Sequence, residues 1–201
     1  MKEFKAVFPK ALIIFIIFTI LCGGIYTIFI TGISQIIFPK QANGSIIEVN
    51  GKKYGSVLLA QQYNDEKHLW GRIMNIDTKT FLDDSGRKLA YSAPSNLSPA
   101  SKEYEVLVQE RVDKIKENHP EQDEQAIPVD LVTCSGSGLD PHISVAAAKY
   151  QVNRIAKNNN MEIKDVEKII DKYTSGKLFG VLGEKTVNVL EVNLAIDGIL
   201  K

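Results

Sequence analysis

The stretch that decides the architecture of this chain is ALIIFIIFTILCGGIYTIFITGISQIIF, residues 11–38, which contains no charged side chain. A helix needs about 20 consecutive apolar residues, each rising about 1.5 Å, to cross the hydrocarbon core of a bilayer. The stretch exceeds that length and lies near the N-terminus of a 201-residue chain of otherwise mixed polarity. The sequence therefore predicts one membrane-spanning helix over residues 11–37.

Two cleavable N-terminal signals compete with this prediction, and the residues favour neither. A signal peptide has an apolar core of about 7–15 residues and a small-x-small cleavage site, whereas this core is longer and no Ala-x-Ala sequence follows it. A lipoprotein signal would place a small residue before the lipidated cysteine, but Leu21 precedes Cys22. We therefore expect an uncleaved helix that crosses the cell membrane once, in contact with lipid.

The lysines around the helix predict its orientation. Three lysines lie within residues 1–10, at its N-terminal end, whereas Lys40 alone lies close to its C-terminal end. Because cytoplasmic segments carry an excess of lysine and arginine, residues 1–10 are expected in the cytoplasm. The rest of the chain, residues 38–201, would then form a soluble domain outside.

One face of the predicted helix carries small residues. Gly23, Thr27 and Thr31 recur every four positions, and Gly24 lies beside them. Small residues at this spacing allow a second helix to approach closely in lipid, although glycine and threonine are also common in spanning helices without a partner. These four residues are therefore predicted to form a membrane-helix packing face.

Composition excludes several classes of function. The chain has 24 Lys and Arg against 24 Asp and Glu, a formal net charge of +0, which argues against a nucleic-acid partner because such proteins are basic. Its two cysteines, Cys22 and Cys134, are too few for a zinc finger. One lies in the apolar stretch and one in the polar part of the chain, so we expect no disulfide.

The remaining sequence alternates between strand-like and helix-like segments. Asn50-Gly51 is the favoured pair for a two-residue hairpin turn, with β-prone residues on both sides. Residues 61–100 are rich in turn-forming residues and are expected to be mostly loop. Further strands are predicted over 129–133 and 187–196, with helix possible for the second, and helices over 104–118, 145–156 and 163–173, with Ser144 as a cap. The predicted fold class is α+β: one N-terminal transmembrane helix and a single small mixed extracytoplasmic domain.

The sequence SGSGLDPH, residues 135–142, is the best candidate for a site. It lies between a predicted strand and a predicted helix, where backbone amides can bind anions. A phosphate-binding loop needs Lys and then Ser or Thr after its last glycine, but Leu139 and Asp140 follow Gly138. The residues therefore favour a tight turn, in which glycine adopts positive φ and Asp140 hydrogen-bonds to nearby backbone.

Two alternatives to a purely structural loop stay open. A membrane-anchored extracytoplasmic hydrolase could pair Asp140 with His142 beside Ser135 or Ser137, although no nucleophile-elbow motif surrounds either serine. A solute-binding domain is the other alternative. None of the three histidines has metal-ligand spacing to another histidine or cysteine, so we predict no catalytic residue and no metal.

Six blocks of the sequence, in order, carry a resemblance to a known family. They are FPKQANGSI (38–46), GSVLLAQ (55–61), SNLSP (95–99), VDLVTCSGSGLDPHIS (129–144), YQVNRIAK (150–157) and LGEKTVNVLEVNLAID (182–197). With these blocks and its single spanning helix, the chain resembles the C subunit of the Kdp-type, P-type potassium-transporting ATPase. The resemblance covers most of the chain.

The resemblance implies a non-enzymatic subunit of a high-affinity potassium-import complex. Its implied partners are a channel-like potassium-translocating subunit, a P-type subunit that hydrolyses ATP, and a small single-helix subunit. The family's subunit is needed for assembly and acts as a catalytic chaperone that raises the ATP affinity of the hydrolysing subunit. No cofactor is expected on this chain, and ATP would act through the complex. Because an outside domain cannot touch cytoplasmic ATP, the effect would be a coupling free energy between separate sites.

The resemblance also supplies the candidate partner-contact residues, which belong to the blocks quoted above. They are Gln61, Ser135, Gly136, Ser137, Gly138, Leu139, Asp140, Pro141, His142, Gln151 and Arg154.

Overall fold

A computed structural model describes residues 2–122 and 125–201 and divides the chain into two compact units, residues 1–46 and 47–201. The first unit is built on a long helix with three consecutive parts: α1 (Lys2–Phe18), a π-helical part (Thr19–Tyr26) and α2 (Thr27–Ile37). Its apolar part, Lys5–Ile37, is 33 residues long and contains an 18-residue window with a mean hydropathy of 2.6, none of which is buried. The predicted spanning helix is confirmed as a helix long and apolar enough to cross a membrane.

The π-helical part contains the two glycines of the predicted packing face. Thr27 donates its hydroxyl proton to the carbonyl oxygen of Cys22, five residues earlier, at 3.0 Å. A Cβ atom placed on Gly23 or Gly24 would meet nothing within 4 Å. The sequence did not predict this widened turn, since π-helices are rare and have no strong sequence signal.

The helix ends at Ile37, because the residue before a proline is disfavoured in the helical conformation. Phe38 adopts φ −130° and ψ 52°, and Pro39 begins the one-turn helix α3 (Pro39–Ala42). The predicted helix stop is therefore confirmed.

The domain in the second unit opens with the predicted hairpin. Strands β1 (Ile46–Val49) and β2 (Lys52–Ser56) pair in a two-stranded sheet. Asn50 and Gly51 between them have φ values of 53° and 76°, which is the positive pair that a type I′ turn requires.

The middle of the domain contains little regular structure, as predicted. Strands β3 (Ile76–Asp77) and β4 (Tyr91–Ser92) form a short antiparallel pair within the loop region. Helix α4 (Lys102–Asn118) follows, and the Ser101 hydroxyl accepts a hydrogen bond from the Tyr104 amide at its N-terminus, at 3.2 Å. Short 3-10 helices follow at Pro120–Gln122 and Val129–Leu131.

The C-terminal half folds a small sheet against four helices. The antiparallel sheet has the order β5-β7-β6, with β5 at His142–Ser144, β6 at Thr174–Ser175 and β7 at Thr186–Asn188. The helices are α5 (Val145–Tyr150), α6 (Val152–Asn159), α7 (Ile163–Lys172) and α8 (Val189–Ile196). The architecture of the domain is therefore mixed α and β, as predicted.

Two strands run directly into helices, and a polar side chain caps each junction. The Ser144 hydroxyl accepts from the Ala147 amide at 3.1 Å, which confirms the predicted cap of α5. The Asn188 side-chain oxygen accepts from the Glu191 amide at 3.1 Å and starts α8. Such caps satisfy amides that have no partner within the helix.

Two local predictions were wrong. Residues 129–133 form a 3-10 turn rather than a strand, because Pro128 precedes the turn and the carbonyl of Val129 accepts from the amides of Val132 and Thr133. Residues 189–196 form α8, the helix that the sequence left possible there, so the favoured strand is limited to β7. In that segment the side chains are buried almost throughout, and periodicity cannot separate a short buried strand from a buried helix.

The main core lies between the sheet and the helices. Ile143 and Val187, on adjacent strands, are almost fully buried. Residues of α4, of the 69–70 segment and of α5 to α8 complete the core, including Leu69, Trp70, Ile115, Ala147, Ala148, Tyr150, Ile155, Val166, Ile170 and Val192. The hairpin packs separately, with Ile47 against Leu190 and Leu194 of α8.

Candidate functional site

The loop Ser135–His142 forms hydrogen bonds within itself. The Ser135 hydroxyl oxygen accepts from the amides of Gly138 and Asp140, at 3.0 and 3.4 Å. The Ser137 hydroxyl accepts from the Leu139 amide at 3.2 Å. These bonds assign the serine hydroxyls to shaping the turn.

The same loop is fixed to the rest of the domain through its backbone. The carbonyl oxygens of Gly138 and Leu139 accept from the amides of Asn75 and Ala60, each at 3.0 Å. Gly138 has φ +72°, and a Cβ atom there would lie 2.6 Å from the carbonyl oxygen of Ala93. The predicted positive-φ turn is confirmed, and only glycine fits this position without strain.

Arg72 links the loop to the preceding 3-10 turn. Its Nη2 atom lies 3.3 Å from Oδ1 of the buried Asp130, and its Nε lies 3.4 Å from Oδ2 of Asp140. The other oxygen of Asp130 accepts from the Ser144 amide at 2.6 Å, at the start of α5. Sequence analysis did not single out Arg72 or Asp130, because the contact joins residues 58 positions apart.

The hydrolase alternative needs a nucleophile bonded to a base, and the geometry does not provide it. His142 Nδ1 lies 3.6 Å from Asp140 Oδ1, and its Nε2 lies 3.4 Å from Nδ2 of Asn188. Among the described residues, neither Ser135 nor Ser137 hydrogen-bonds to a histidine. The same residues hold no group of three or more His, Cys, Asp or Glu side chains arranged to bind a metal ion.

The loop exposes part of its outer edge. Gly136 and Ser137 are exposed, whereas Gly138 and Pro141 are buried. The Pro141 carbonyl also accepts from the amide of Val189 at 3.0 Å, at the start of α8. The surface open to a partner therefore consists of the Gly136–Ser137 edge and the partly exposed side chains of Asp140 and His142.

Of the three other candidate contact residues, Gln151 and Arg154 are buried and Gln61 is partly buried. Gln61 donates from Nε2 to the carbonyl of Tyr54 at 2.9 Å, and its amide occupies the space beside Gly55, whose φ is +147°. Gln151 is fully buried and exchanges hydrogen bonds with the backbone of Trp70, accepting from its amide at 2.9 Å and donating to its carbonyl at 3.0 Å.

Arg154 is the centre of a buried polar cluster. Its side chain is 3% exposed and donates to the carbonyl oxygens of Glu66 at 2.5 Å and His68 at 2.9 Å. It also donates from Nε to Nε2 of His119 at 2.9 Å and lies 4.5 Å above the ring centre of Trp70. The guanidinium therefore holds the 65–70 segment against α6. Burial lowers the pKa of Arg154 to about 10, so it stays charged at neutral pH.

His119 is neutral in this cluster. Its Nε2 accepts from Arg154, which can only donate, and its Nδ1 proton is donated to the Ile115 carbonyl at 2.8 Å. Burial lowers the pKa of His119, the hydrogen bond to Ile115 opposes this effect, and the charge of Arg154 adds to it.

His68 lies between two carboxylates. Nδ1 lies 2.8 Å from Asp65, and Nε2 lies 3.0 Å from Asp197, which follows α8. Burial alone would lower the pKa of His68, but the hydrogen bonds and charges of Asp65 and Asp197 outweigh burial, so the pKa is raised. The ring of Tyr63 packs 5.1 Å away.

Sequence analysis missed an exposed apolar loop, residues 177–184, which we call the apolar tip. Two backbone hydrogen bonds between Leu178 and Leu182 close it, at 2.8 and 3.0 Å. Phe179 is 86% exposed and has φ +53°, and Val181 is 75% exposed. The sequence signal was present: KLFGVLGE places four large apolar residues in a short glycine-containing loop, where exposed apolar groups indicate a contact surface.

Comparison with known proteins assigns the chain to a family. The KdpC model, described as the K+-transporting ATPase, c chain, matches residues 8–198. The chain belongs to the KdpC family. The resemblance drawn from the six sequence blocks is therefore confirmed.

Individual KdpC proteins match along almost the whole chain. The potassium-transporting ATPase KdpC subunit of Clostridium botulinum (strain Alaska E43 / Type E3) is 95% identical over 201 residues, all of both chains. The protein of the same name from Clostridium perfringens is 62% identical over 192 residues, 96% of this chain and 97% of the relative. That of Methylococcus capsulatus is 41% identical over 192 residues, with the same coverage.

Proposed function

We propose that this chain is a non-catalytic subunit of an ATP-driven potassium-import complex, anchored by its N-terminal helix with the domain outside the cell. The observation that carries the proposal is the KdpC match over residues 8–198, which includes both the apolar helix and the domain. The domain's geometry agrees with a non-catalytic role, because the candidate loop uses its serine hydroxyls to bind its own amides.

The partners follow from the family. They are a channel-like potassium-translocating subunit, a P-type subunit that hydrolyses ATP and a small single-helix subunit. In the membrane, Gly23, Gly24, Thr27 and Thr31 pack on a partner helix. Their small side chains, recurring every four positions, support this assignment, because such residues allow a second helix to approach closely in lipid.

Outside the membrane, the domain docks on the outer surface of the translocating subunit through the apolar tip. Large apolar side chains at 58–86% exposure, such as Leu182 and Phe179, are unusual for a surface that faces only water. Burying them against a protein partner would supply the affinity that holds the complex together.

The subunit also acts as a catalytic chaperone that raises the ATP affinity of the hydrolysing subunit. The domain and the ATP site lie on opposite sides of the membrane, so the effect is a coupling free energy carried by the subunits between them. The chain itself binds no nucleotide in this scheme.

The orientation is tested with a single accessible cysteine. In a Cys134→Ser background, Ser85→Cys places a thiol in an exposed turn of the domain. A membrane-impermeant maleimide should label it in intact cells, whereas Lys5→Cys, on the other side, should react only after permeabilisation. Labelling in the reverse order would place the domain in the cytoplasm and remove the basis for an indirect effect on ATP.

The role in assembly is tested by copurification of the other subunits with the tagged full chain. Phe179→Asp should lower the amount of copurified partner by about tenfold or more, because it places a charge where the proposed contact would bury an apolar side chain. The KM for ATP of the remaining complex should rise. Val129→Asp, at an exposed valine away from the tip, is the matched control and should change neither. Gly23→Leu tests the membrane-helix packing face in the same assay and should also lower copurification. If neither Phe179→Asp nor Gly23→Leu changes copurification, the proposed contacts are contradicted.

A further inference from the structure

A small cavity between α4 and residues 62–73 has a cationic lining. Its volume is about 40 Å³, and because a single water needs roughly 10–15 Å³ on this measure, it holds about three waters. Arg72, Arg111 and Lys114 line it together with the rings of Tyr63 and Trp70. No aspartate or glutamate is among its lining residues, all of which lie in the described part of the chain.

Two of the three cations keep their charge unmatched. Arg72 is neutralised by Asp130 and Asp140, which lie outside the cavity. Arg111 donates from Nη1 to the Val132 carbonyl at 3.0 Å. Burial lowers its pKa, and the exposed Glu110 next to it on the helix does not line the cavity.

Lys114 completes the cationic wall. Its Nζ lies 3.3 Å from the side-chain oxygen of Asn64 and 5.1 Å from the ring centre of Trp70. Among the ion pairs of the described residues, none joins Lys114 or Arg111 to a carboxylate. Lys114 lines the cavity from an exposed position, whereas Arg111 is half-buried. Partly burying the Arg111 charge is costly unless an anion accompanies it.

The chemistry of the lining selects the anion. A guanidinium binds a planar carboxylate through two parallel hydrogen bonds, and an ammonium adds a further donor. The volume suits a group as small as a carboxylate. We propose that this cavity binds one carboxylate group, held by Arg111 and Lys114. The carboxylate comes either from a small free acid or from an Asp or Glu side chain of a partner subunit, and the second source rests on the proposed function.

The experiment uses Trp70, which lines the cavity and is the only tryptophan of the chain. Sodium acetate is titrated into the full chain in detergent at constant ionic strength, and Trp70 emission is recorded. Acetate should change the emission saturably in the millimolar range, and neutral acetamide should not. Arg111→Gln and Lys114→Met should each raise the half-saturating concentration by about tenfold. Lys116→Met, at an exposed lysine on the same helix, should leave it unchanged.

Three results would overturn the proposal. The first is no saturable response of Trp70 emission to acetate, and the second is an equal response to chloride. The third is an unchanged half-saturating acetate concentration in both Arg111→Gln and Lys114→Met, each shown to keep the unfolding midpoint of the unsubstituted chain. Repeating the titration on the assembled complex separates the two sources. If the response is lost there, and Arg111→Gln also lowers copurification, a partner's carboxylate occupies the cavity. If the response persists, the ligand is a free acid. A chain that copurifies with its partners but ignores acetate would refute this cavity assignment alone and leave the proposed function standing.

Discussion

Two glycine-containing loops of the domain, Ser135–His142 and the apolar tip, are held in opposite ways. A Cβ atom placed on Gly138, in the first loop, would lie 2.6 and 2.8 Å from the carbonyl oxygens of Ala93 and Asn75, and the carbonyl of Gly138 accepts a hydrogen bond from another segment. Gly180 lies in the second loop with a nearly identical φ, +77° against +72°, and a Cβ atom placed on it would meet nothing within 4 Å. The same backbone conformation thus serves close packing in one loop and exposure in the other.

The difference separates residues that build the domain from residues that can meet a partner. The first loop contacts Arg72, which belongs to what we call the polar framework: the side chains that join distant segments of the domain, namely His68, Arg72, His119, Asp130 and Arg154. The tip has one surface ion pair, Lys177 with Glu184 at 3.2 Å, and such pairs contribute little to stability. A family motif can therefore consist of residues that the fold itself requires, while the apolar tip leaves large apolar side chains exposed for the proposed contact.

The largest expected effect comes from placing the same methyl group in both loops. Gly138→Ala should destabilise the domain by about 2–4 kcal/mol, since the new Cβ clashes with backbone oxygens at 2.6 and 2.8 Å and the positive φ strains alanine. Gly180→Ala meets only the conformational strain and should cost about 1 kcal/mol. Urea unfolding of the full chain in detergent, followed by Trp70 emission, measures both.

Equal losses of unfolding free energy in the two variants would show that φ alone sets the cost and that close packing around Gly138 adds nothing. A clearly larger loss in Gly138→Ala would assign the difference to that packing. The amount of partner that copurifies per folded chain should stay the same in Gly138→Ala and Gly180→Ala, since neither methyl group changes the apolar side chains of the tip.

Local signals in the sequence predicted much of the fold. The Asn50-Gly51 pair specifies its turn through two positive φ values, and Ser144 caps α5 with its own hydroxyl. The turn at Gly138 was also predictable, since glycine is the residue that adopts its φ at low cost. Each of these features is decided by residues within a few positions of one another.

The remainder depends on contacts between distant residues. Asn193 of α8 is fully buried and accepts a hydrogen bond from the Leu69 amide at 2.7 Å, 124 positions away in the sequence. The reason for a polar residue on the buried side of α8 is therefore visible only in the folded chain. Arg154 was expected at a partner surface, yet its donors are used by carbonyls about 86–88 positions away. No periodicity or spacing encodes such pairings, and the cavity between α4 and the 62–73 segment depends on them as well.

The smallest expected effect is a pH dependence that belongs only to the polar framework, since the tip contains no histidine. The pKa of His68 is raised by Asp65 and Asp197 against the effect of burial, so its stabilising contribution is complete below the unfolded value of 6.5. It is lost as the pH rises through the folded pKa. His119 has a lowered pKa because it is buried, so its contribution is complete above 6.5 and is lost as the pH falls below that value.

The free energy of unfolding should therefore pass through a maximum near pH 6.5 and decline on both sides. Urea titrations of the full chain between about pH 5.5 and 8 test this, within the window in which histidine titrates. His68→Asn should remove the decline above pH 6.5 and keep the one below it, and Asp197→Asn, which leaves Asp65 as the remaining carboxylate on His68, should make the upper decline shallower. The rate of proteolysis at the tip should stay constant over the upper half of the range. If the upper decline survives in His68→Asn, the two carboxylates do not stabilise the folded domain through that ring. The 65–70 segment is then held to α8 by Asn193, which accepts from the Leu69 amide, and to α6 by Arg154.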